Sequence, residues 1–138
     1  TKSQTAERKG IDNTPGEEEI KNLRALCQNI LQPVRVNYKA PIMPSSGYRS
    51  YDLNMAIGSS PRSQHTKGEA VDFEVPWVDN RLVALWIQNN LLFDQLILEY
   101  YKENDPNSGW VHVSYLDKAV GNRKKAHMCD GRTWKPLE

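Results

Sequence analysis

The stretch Glu69-Ala70-Val71-Asp72-Phe73-Glu74-Val75 alternates polar and apolar residues with a period of two, as a strand with one buried face does. Val71, Phe73 and Val75 share the apolar face, which turns Ala70, Asp72 and Glu74 to the other. Two more β-rich runs, Leu96-Ile97-Leu98-Glu99-Tyr100-Tyr101 and Trp110-Val111-His112-Val113-Ser114-Tyr115, flank Asp105-Pro106-Asn107-Ser108-Gly109, a strong turn signal. A symmetric hairpin closed between Lys102 and Gly109 sets Leu98 opposite Val113, Tyr100 opposite Val111 and Leu96 opposite Tyr115. All of these apolar side chains then fall on one face. The same register puts Glu99 directly across from His112 and pairs Trp110 with Tyr101 on the polar face.

Helices are expected on either side of these strands. Thr14-Pro15-Gly16-Glu17 reads as a capping box, opening a helix with Ile20, Leu23, Cys27, Ile30 and Leu31 on one face, and Pro33 ends it. Pro41 to Ser50 reads as a short strand entering a loop, and residues 51–57 as a short helix closed by Gly58. Residues 58–68, with two glycines, a proline and small hydroxyl residues, have loop chemistry. Asp79 caps a second helix over residues 80–91, with Leu82, Leu85 and Trp86 on one face. The basic tail from residue 117 adds one edge strand. Residues 1–13 are polar and aperiodic and read as an arm, leaving residues 14–138 as the domain.

Length and composition set the class. A chain of 138 residues is one domain. Its charge of +1, from 18 Lys+Arg against 17 Asp+Glu, is a poor basis for a general nucleic-acid binder. No long apolar run suggests membrane insertion. Cys27 and Cys129, far apart and without metal-site spacing, are buried thiols or one bridge, with buried thiols the default. The polar start, Thr1-Lys2-Ser3-Gln4-Thr5, carries no secretory signal. It lacks Met, as a chain relieved of a leader or further domain would, so localisation is not legible at this end.

Asp72, His112 and Glu99 all project from non-core faces. One at a time they fit a solvated sheet face, and Glu99 with His112 fits a cross-strand ion pair. The preceding segment shifts that balance. Ser63-Gln64-His65-Thr66-Lys67-Gly68-Glu69-Ala70-Val71-Asp72 has the pattern S-x-H-x-x-G-x-A-x-D. A His in a Gly-flanked loop can fold back beside a strand carboxylate, and Ala70 leaves room on that face. Two imidazoles and one carboxylate with an open fourth position fit catalytic zinc, whereas hard cations want more oxygens. His65, Asp72 and His112 are the candidate ligands.

That motif, with Ser46-Gly47-Tyr48-Arg49-Ser50 upstream and Trp110-Val111-His112 downstream, resembles the zinc D-alanyl-D-alanine carboxypeptidase family, which includes phage endolysin peptidases and the hedgehog zinc domain. Gly10-Ile11-Asp12-Asn13-Thr14-Pro15 is similar to its small bacterial and phage branch. The resemblance implies an α+β single domain with the zinc site on an antiparallel sheet and helices packed on its other face. It also implies zinc ligation by His65, Asp72 and His112, and a monomer that hydrolyses peptidoglycan stem peptides at the bacterial envelope, in periplasm or cell wall. The better-known branches carry an acidic base three positions before the second His, where this chain has Gly109. Glu99 is the candidate replacement, with Asp94 and Glu74 weaker. Arg49 is expected to bind a substrate carboxylate or the developing oxyanion. Ser63 and Trp110 are expected at the substrate, and His127 at the surface. The alternative is a non-catalytic zinc-binding module, serving in wall binding or as a structural part of a phage particle.

Overall fold

The alternating runs form a six-stranded sheet in a computed structural model that describes residues 2–118 and 120–138. Its strands are β1 (Met43–Ser46), β2 (Ala70–Glu74), β3 (Gln95–Glu99), β4 (Trp110–Ser114), β5 (Lys125–Cys129) and β6 (Trp134–Pro136), ordered β1-β2-β4-β3-β5-β6. Neighbours are antiparallel except β3 and β5, which run parallel. The helices are α1 (Gln4–Lys9), α2 (Glu17–Leu26), α3 (Gln32–Tyr38), α4 (Tyr51–Ala56) and α5 (Asn80–Asn90). The α+β class is as expected. The tail adds two strands rather than one: the Lys124 and Lys125 N–H groups donate to the Phe93 and Asp94 carbonyls and start β5 along β3.

One sheet face carries the core. Val71, Phe73, Leu96, Leu98, Val111 and Val113 are buried with Leu26, Ile30 and Val34 of the first helical run and Val83, Ala84 and Ile87 of α5. Both helical stripes are displaced from the expected ones, since Ile20, Cys27 and Leu82 are exposed. In the first run, a π turn over Cys27–Leu31 joins α2 to α3, and the Gln32 N–H reaches back to the Cys27 carbonyl. That wider turn rotates the buried face onto Leu26, Ile30 and Val34. Pro33 consequently does not end the helix: it lies in the first turn of α3, where a missing N–H costs least. In α5 the stripe centres on Val83 and Ile87, with Leu85 and Trp86 at its margin.

The expected capping box does not form. α2 opens at Glu17 with Gly16 as N-cap and no side-chain cap, because the Thr14 N–H is taken by Asp12 Oδ1 at 3.0 Å. Glu17, Glu18 and Glu19 instead supply negative charge to the first turn. Within residues 1–13, α1 is capped by Ser3 and buries Ala6. Both cysteines are free, Cys27 exposed and Cys129 half-buried, so neither the bridge nor the buried-thiol expectation holds. No helix among the described residues is long and apolar enough to cross a membrane.

The hairpin register differs by two residues from the symmetric expectation. Leu96 faces Val113, Ile97 faces His112, Leu98 faces Val111, and Glu99 faces Trp110. Tyr100 takes a left-handed conformation at φ 55° and donates its N–H to Cys129 across the parallel edge. The ladder therefore closes at Glu99 and Trp110 rather than at Tyr101. A slip of two keeps every side chain on its face, so the sorting of core from polar residues is unchanged.

Candidate metal centre

Three segments bring the polar residues together. A 3₁₀ turn, Gln64–Lys67, is capped by Ser63, whose Oγ accepts from the His65 N–H at 3.3 Å. Gly68 closes it at φ 72°, where a Cβ would stand 2.5 Å from the Glu19 carbonyl oxygen, so only glycine fits. The turn delivers the His65 side chain, 3% exposed, to the polar face of β2. Asp72 and His112 meet there as direct cross-strand partners of β2 and β4. One ligand atom from each of His65, Asp72 and His112 lies within 4.8 Å of the others.

The hydrogen bonds orient this set. His65 Nδ1 lies 2.7 Å from the Gly47 carbonyl, which only accepts, so Nδ1 carries the proton and Nε2 is left with its lone pair. That Nε2 faces Asp72 Oδ2 at 3.4 Å. Two acceptors pointing at each other repel unless a cation lies between them. A tetrahedral ion with bonds of about 2.0 Å spaces its ligand atoms by about 3.3 Å, and His112 Nδ1 contacts Asp72 Oδ1 at 2.8 Å. Such an N/O donor set, with a carbonyl fixing the tautomer of one imidazole, fits zinc. Burial alone would raise the Asp72 carboxyl, but the flanking His112 and His65 imidazoles outweigh it and hold the group far below the ordinary carboxylate range.

The triad opens into a cleft of about 490 Å³ that is also lined by Arg49, Ser63, Gln64 and Glu99. Glu99 lies diagonally from His112 on the same face, one pairing beyond Ile97, a neighbour spacing of roughly 7–8 Å with the Cβ atoms somewhat closer. Burial raises its carboxyl above its ordinary value. The His112 charge opposes that rise, and the Asp72 carboxylate adds to it. A raised carboxyl beside the triad is shifted in the direction that a general base needs. The Trp110 indole N–H donates to Glu99 Oε2 at 2.6 Å, and its ring packs on Tyr100 with centroids 5.1 Å apart.

The other candidates are placed less uniformly. Trp110, expected at the substrate, is not among the cleft residues and sits against Glu99 instead. Its stacking partner is Tyr100, because the two-residue slip removes Tyr101 from the ladder and Tyr101 donates to Asp79 at 3.1 Å. Asp94 is committed to Arg123 and Gln64, and Glu74 accepts from Asn80 at 3.0 Å. His127 is half-buried on β5 under Trp134 rather than at the surface. Arg49 stands beside the triad, its N–H bonded to the His65 carbonyl at 3.0 Å and its Nε buried without a partner.

Gly109 has a structural cause. Its φ is 68°, and a Cβ there would collide with the Glu99 carbonyl oxygen. No acidic side chain fits at that position, and the carboxylate that reaches the cleft comes from the strand opposite. Sequence reasoning missed Asn13, which accepts from the Ser50 N–H at 2.7 Å and donates to the Tyr48 carbonyl, pinning the Arg49 loop. It missed Gly47, Arg62, Arg123 and Trp134 as well; the first belongs to the Ser-Gly-Tyr-Arg-Ser stretch, and the others carry no local signal.

The sequence model of a family described as Peptidase M15 matches residues 1–114. No curated protein matches the chain.

Proposed function

The chain belongs to the M15 peptidases, and from that premise we propose that it is a zinc-dependent hydrolase of peptide bonds in peptidoglycan stem peptides, acting at the bacterial envelope. The observation that carries this reading is the convergence of His65, Asp72 and His112 in the one cleft that Glu99 and Arg49 also line. Zinc held by these three residues supplies Lewis acidity toward a carbonyl oxygen and lowers the pKa of water towards about 7.

The chain's own groups complete the chemistry. Glu99 accepts a proton from the attacking water as its oxygen bonds to the scissile carbonyl carbon. It returns that proton to the amine nitrogen as the C–N bond breaks, leaving a carboxylic acid and an amine. Trp110 holds the Glu99 carboxylate by its Oε2, leaving Oε1 for the water. Arg49 donates to the oxygen on which negative charge develops.

Purified protein is assayed for zinc content and for fragments released from peptidoglycan, identified by mass. Glu99→Gln is expected to retain zinc and lose about 10²–10⁴-fold in hydrolysis; undiminished turnover removes Glu99 from the mechanism. Gly109, lacking the acid of the better-known branches, favours a second reading as a zinc-binding module without hydrolysis. Full zinc occupancy with no released fragments identifies that case.

A further inference from the structure

The family match ends at residue 114, yet the sheet continues by two strands beyond it. β5 lies parallel to β3 with Glu99 beside Cys129, and β6 returns with Trp134 beside Cys129. These pairings extend the Trp110–Glu99 row outward to Trp134, and residues paired across a ladder share a face. Trp134 therefore lies on the face that carries the triad. The residue is 54% exposed, and its ring stands edge-on to His127 at 5.9 Å and 81° and lines the same cleft.

The segment leading into β5 adds Arg123 to that cleft. Its Nε and Nη2 donate to the two Asp94 oxygens at 2.9 Å each, and its backbone N–H donates to Oδ1 at 3.1 Å. Asp94 is 1% exposed and also accepts from Gln64 at 3.0 Å. One edge of the guanidinium is thereby fixed, while the half-exposed remainder keeps free N–H donors. Arg62, from the turn before the 3₁₀ element, lines the cleft too and makes no ion pair among the described residues. The carboxylates among the described lining residues are Asp72 and Glu99, one a metal ligand and the other bonded to Trp110. Away from the triad, the cleft is lined by an indole, by the unpaired Arg62 guanidinium and by the outer N–H donors of Arg123, whose inner edge is paired with Asp94.

We propose that Arg62, Arg123 and Trp134 form a subsite for a free carboxylate of the peptide substrate, with the indole packed on the chain that bears it. Guanidinium forks match a carboxylate in shape and charge. The subsite rests on the peptidase reading above and specifies its substrate as an acidic peptide. Two of its three residues, Arg123 before β5 and Trp134 in β6, lie beyond the family match.

The test uses the full-length zinc-loaded protein and three versions of one synthetic stem peptide: all carboxylates free, the side-chain carboxylate amidated, and the C-terminal carboxylate amidated. Removing the recognised carboxylate is expected to raise KM about tenfold or more, as loss of a charge-assisted bond does, with kcat nearly unchanged. Which amide produces the rise identifies the source of the carboxylate. Arg62→Gln, in an exposed turn, should bring the free-to-amidated KM ratio close to one, and Arg62→Lys should restore part of it. Trp134→Ala should raise KM for every version alike. Equal KM values for free and amidated peptides in the wild type, or full discrimination in Arg62→Gln, overturn the subsite while leaving the peptidase intact. Failure to cleave any version overturns the peptidase reading instead. In that event, equilibrium binding of the same peptides to the Glu99→Gln protein decides the subsite, with tighter binding of the free carboxylate supporting it and equal binding sinking it.

Discussion

The two faces of the β2–β4–β3 ladder are built from neighbouring residues and do opposite things. One presents Val71, Phe73, Val111, Val113, Leu96 and Leu98 to the helices, all buried. The other presents Asp72, His112, Glu99 and Trp110, tied to one another and to the loop bearing His65 by directed polar contacts. On the first face, energy comes from area removed from water and is indifferent to small changes of direction. On the second, each atom needs a particular partner, and a carboxylate half-buried without one would be costly. Asp72 and Phe73 are adjacent in sequence, so a single peptide bond separates a candidate ligand from the centre of the core.

That contrast breaks first at those two residues. Asp72→Ala is expected to lower zinc affinity by more than about a hundredfold, since loss of even an outer partner costs 10–100-fold. Hydrolysis should vanish with it, while the zinc-stripped protein loses less stability than Phe73→Ala does; zinc titration and unfolding curves read the two effects separately. Phe73→Ala should behave in reverse, costing about 3–5 kcal/mol of stability, with zinc still bound by whatever fraction is folded. If both variants lose stability equally, the division of labour between the faces is wrong.

Gly109→Asp sharpens the comparison at the edge of the polar face. It installs the acid that the better-known branches carry, but in a left-handed conformation and against the Glu99 carbonyl. A cost of at least about 1–3 kcal/mol is expected from the backbone alone. Placed in a Glu99→Gln background, it should not restore fragment release; restored release would show that the base position can move between strands.

The smallest effect concerns Asp94. Hydrogen bonds from Arg123, joined by Gln64, hold its carboxyl below the ordinary range against the opposing effect of burial. A folded-state value below the unfolded one gives stability that is present above the unfolded pKa of about 3.9. That stability is lost as pH falls through the lower folded value. Asp94→Asn should therefore cost about 1 kcal/mol at pH 7, discounted because Arg123 is half exposed. The gap to wild type in urea unfolding should close as pH drops below 4; a gap that widens instead assigns Asp94 a different role.

Much of the polar face was legible because it is coded locally. The period-two alternation assigned Asp72, His112 and Glu99 to one side before any register was known, and a register error of two residues could not undo that. The S-x-H-x-x-G-x-A-x-D spacing carried His65 to the same place because Gly68 and the Ser63 cap are short-range features. The helical stripes were misread for a comparably local reason. A π turn changes the angular step by which a stripe is traced, and nothing in Cys27-Gln28-Asn29-Ile30-Leu31 announces it.

By itself, then, the sequence determined which residues can share a face and which donor types await a metal, since both follow from steric periodicity within a few residues. Only the tertiary structure decided the hairpin pairing, the role of Trp110 as a partner of Glu99, and the arrival of Arg123 and Trp134 at the cleft. Those outcomes depend on where a strand ends and on which strand the tail lies beside. Such choices are made by summed long-range burial and hydrogen bonding, and no residue carries them alone.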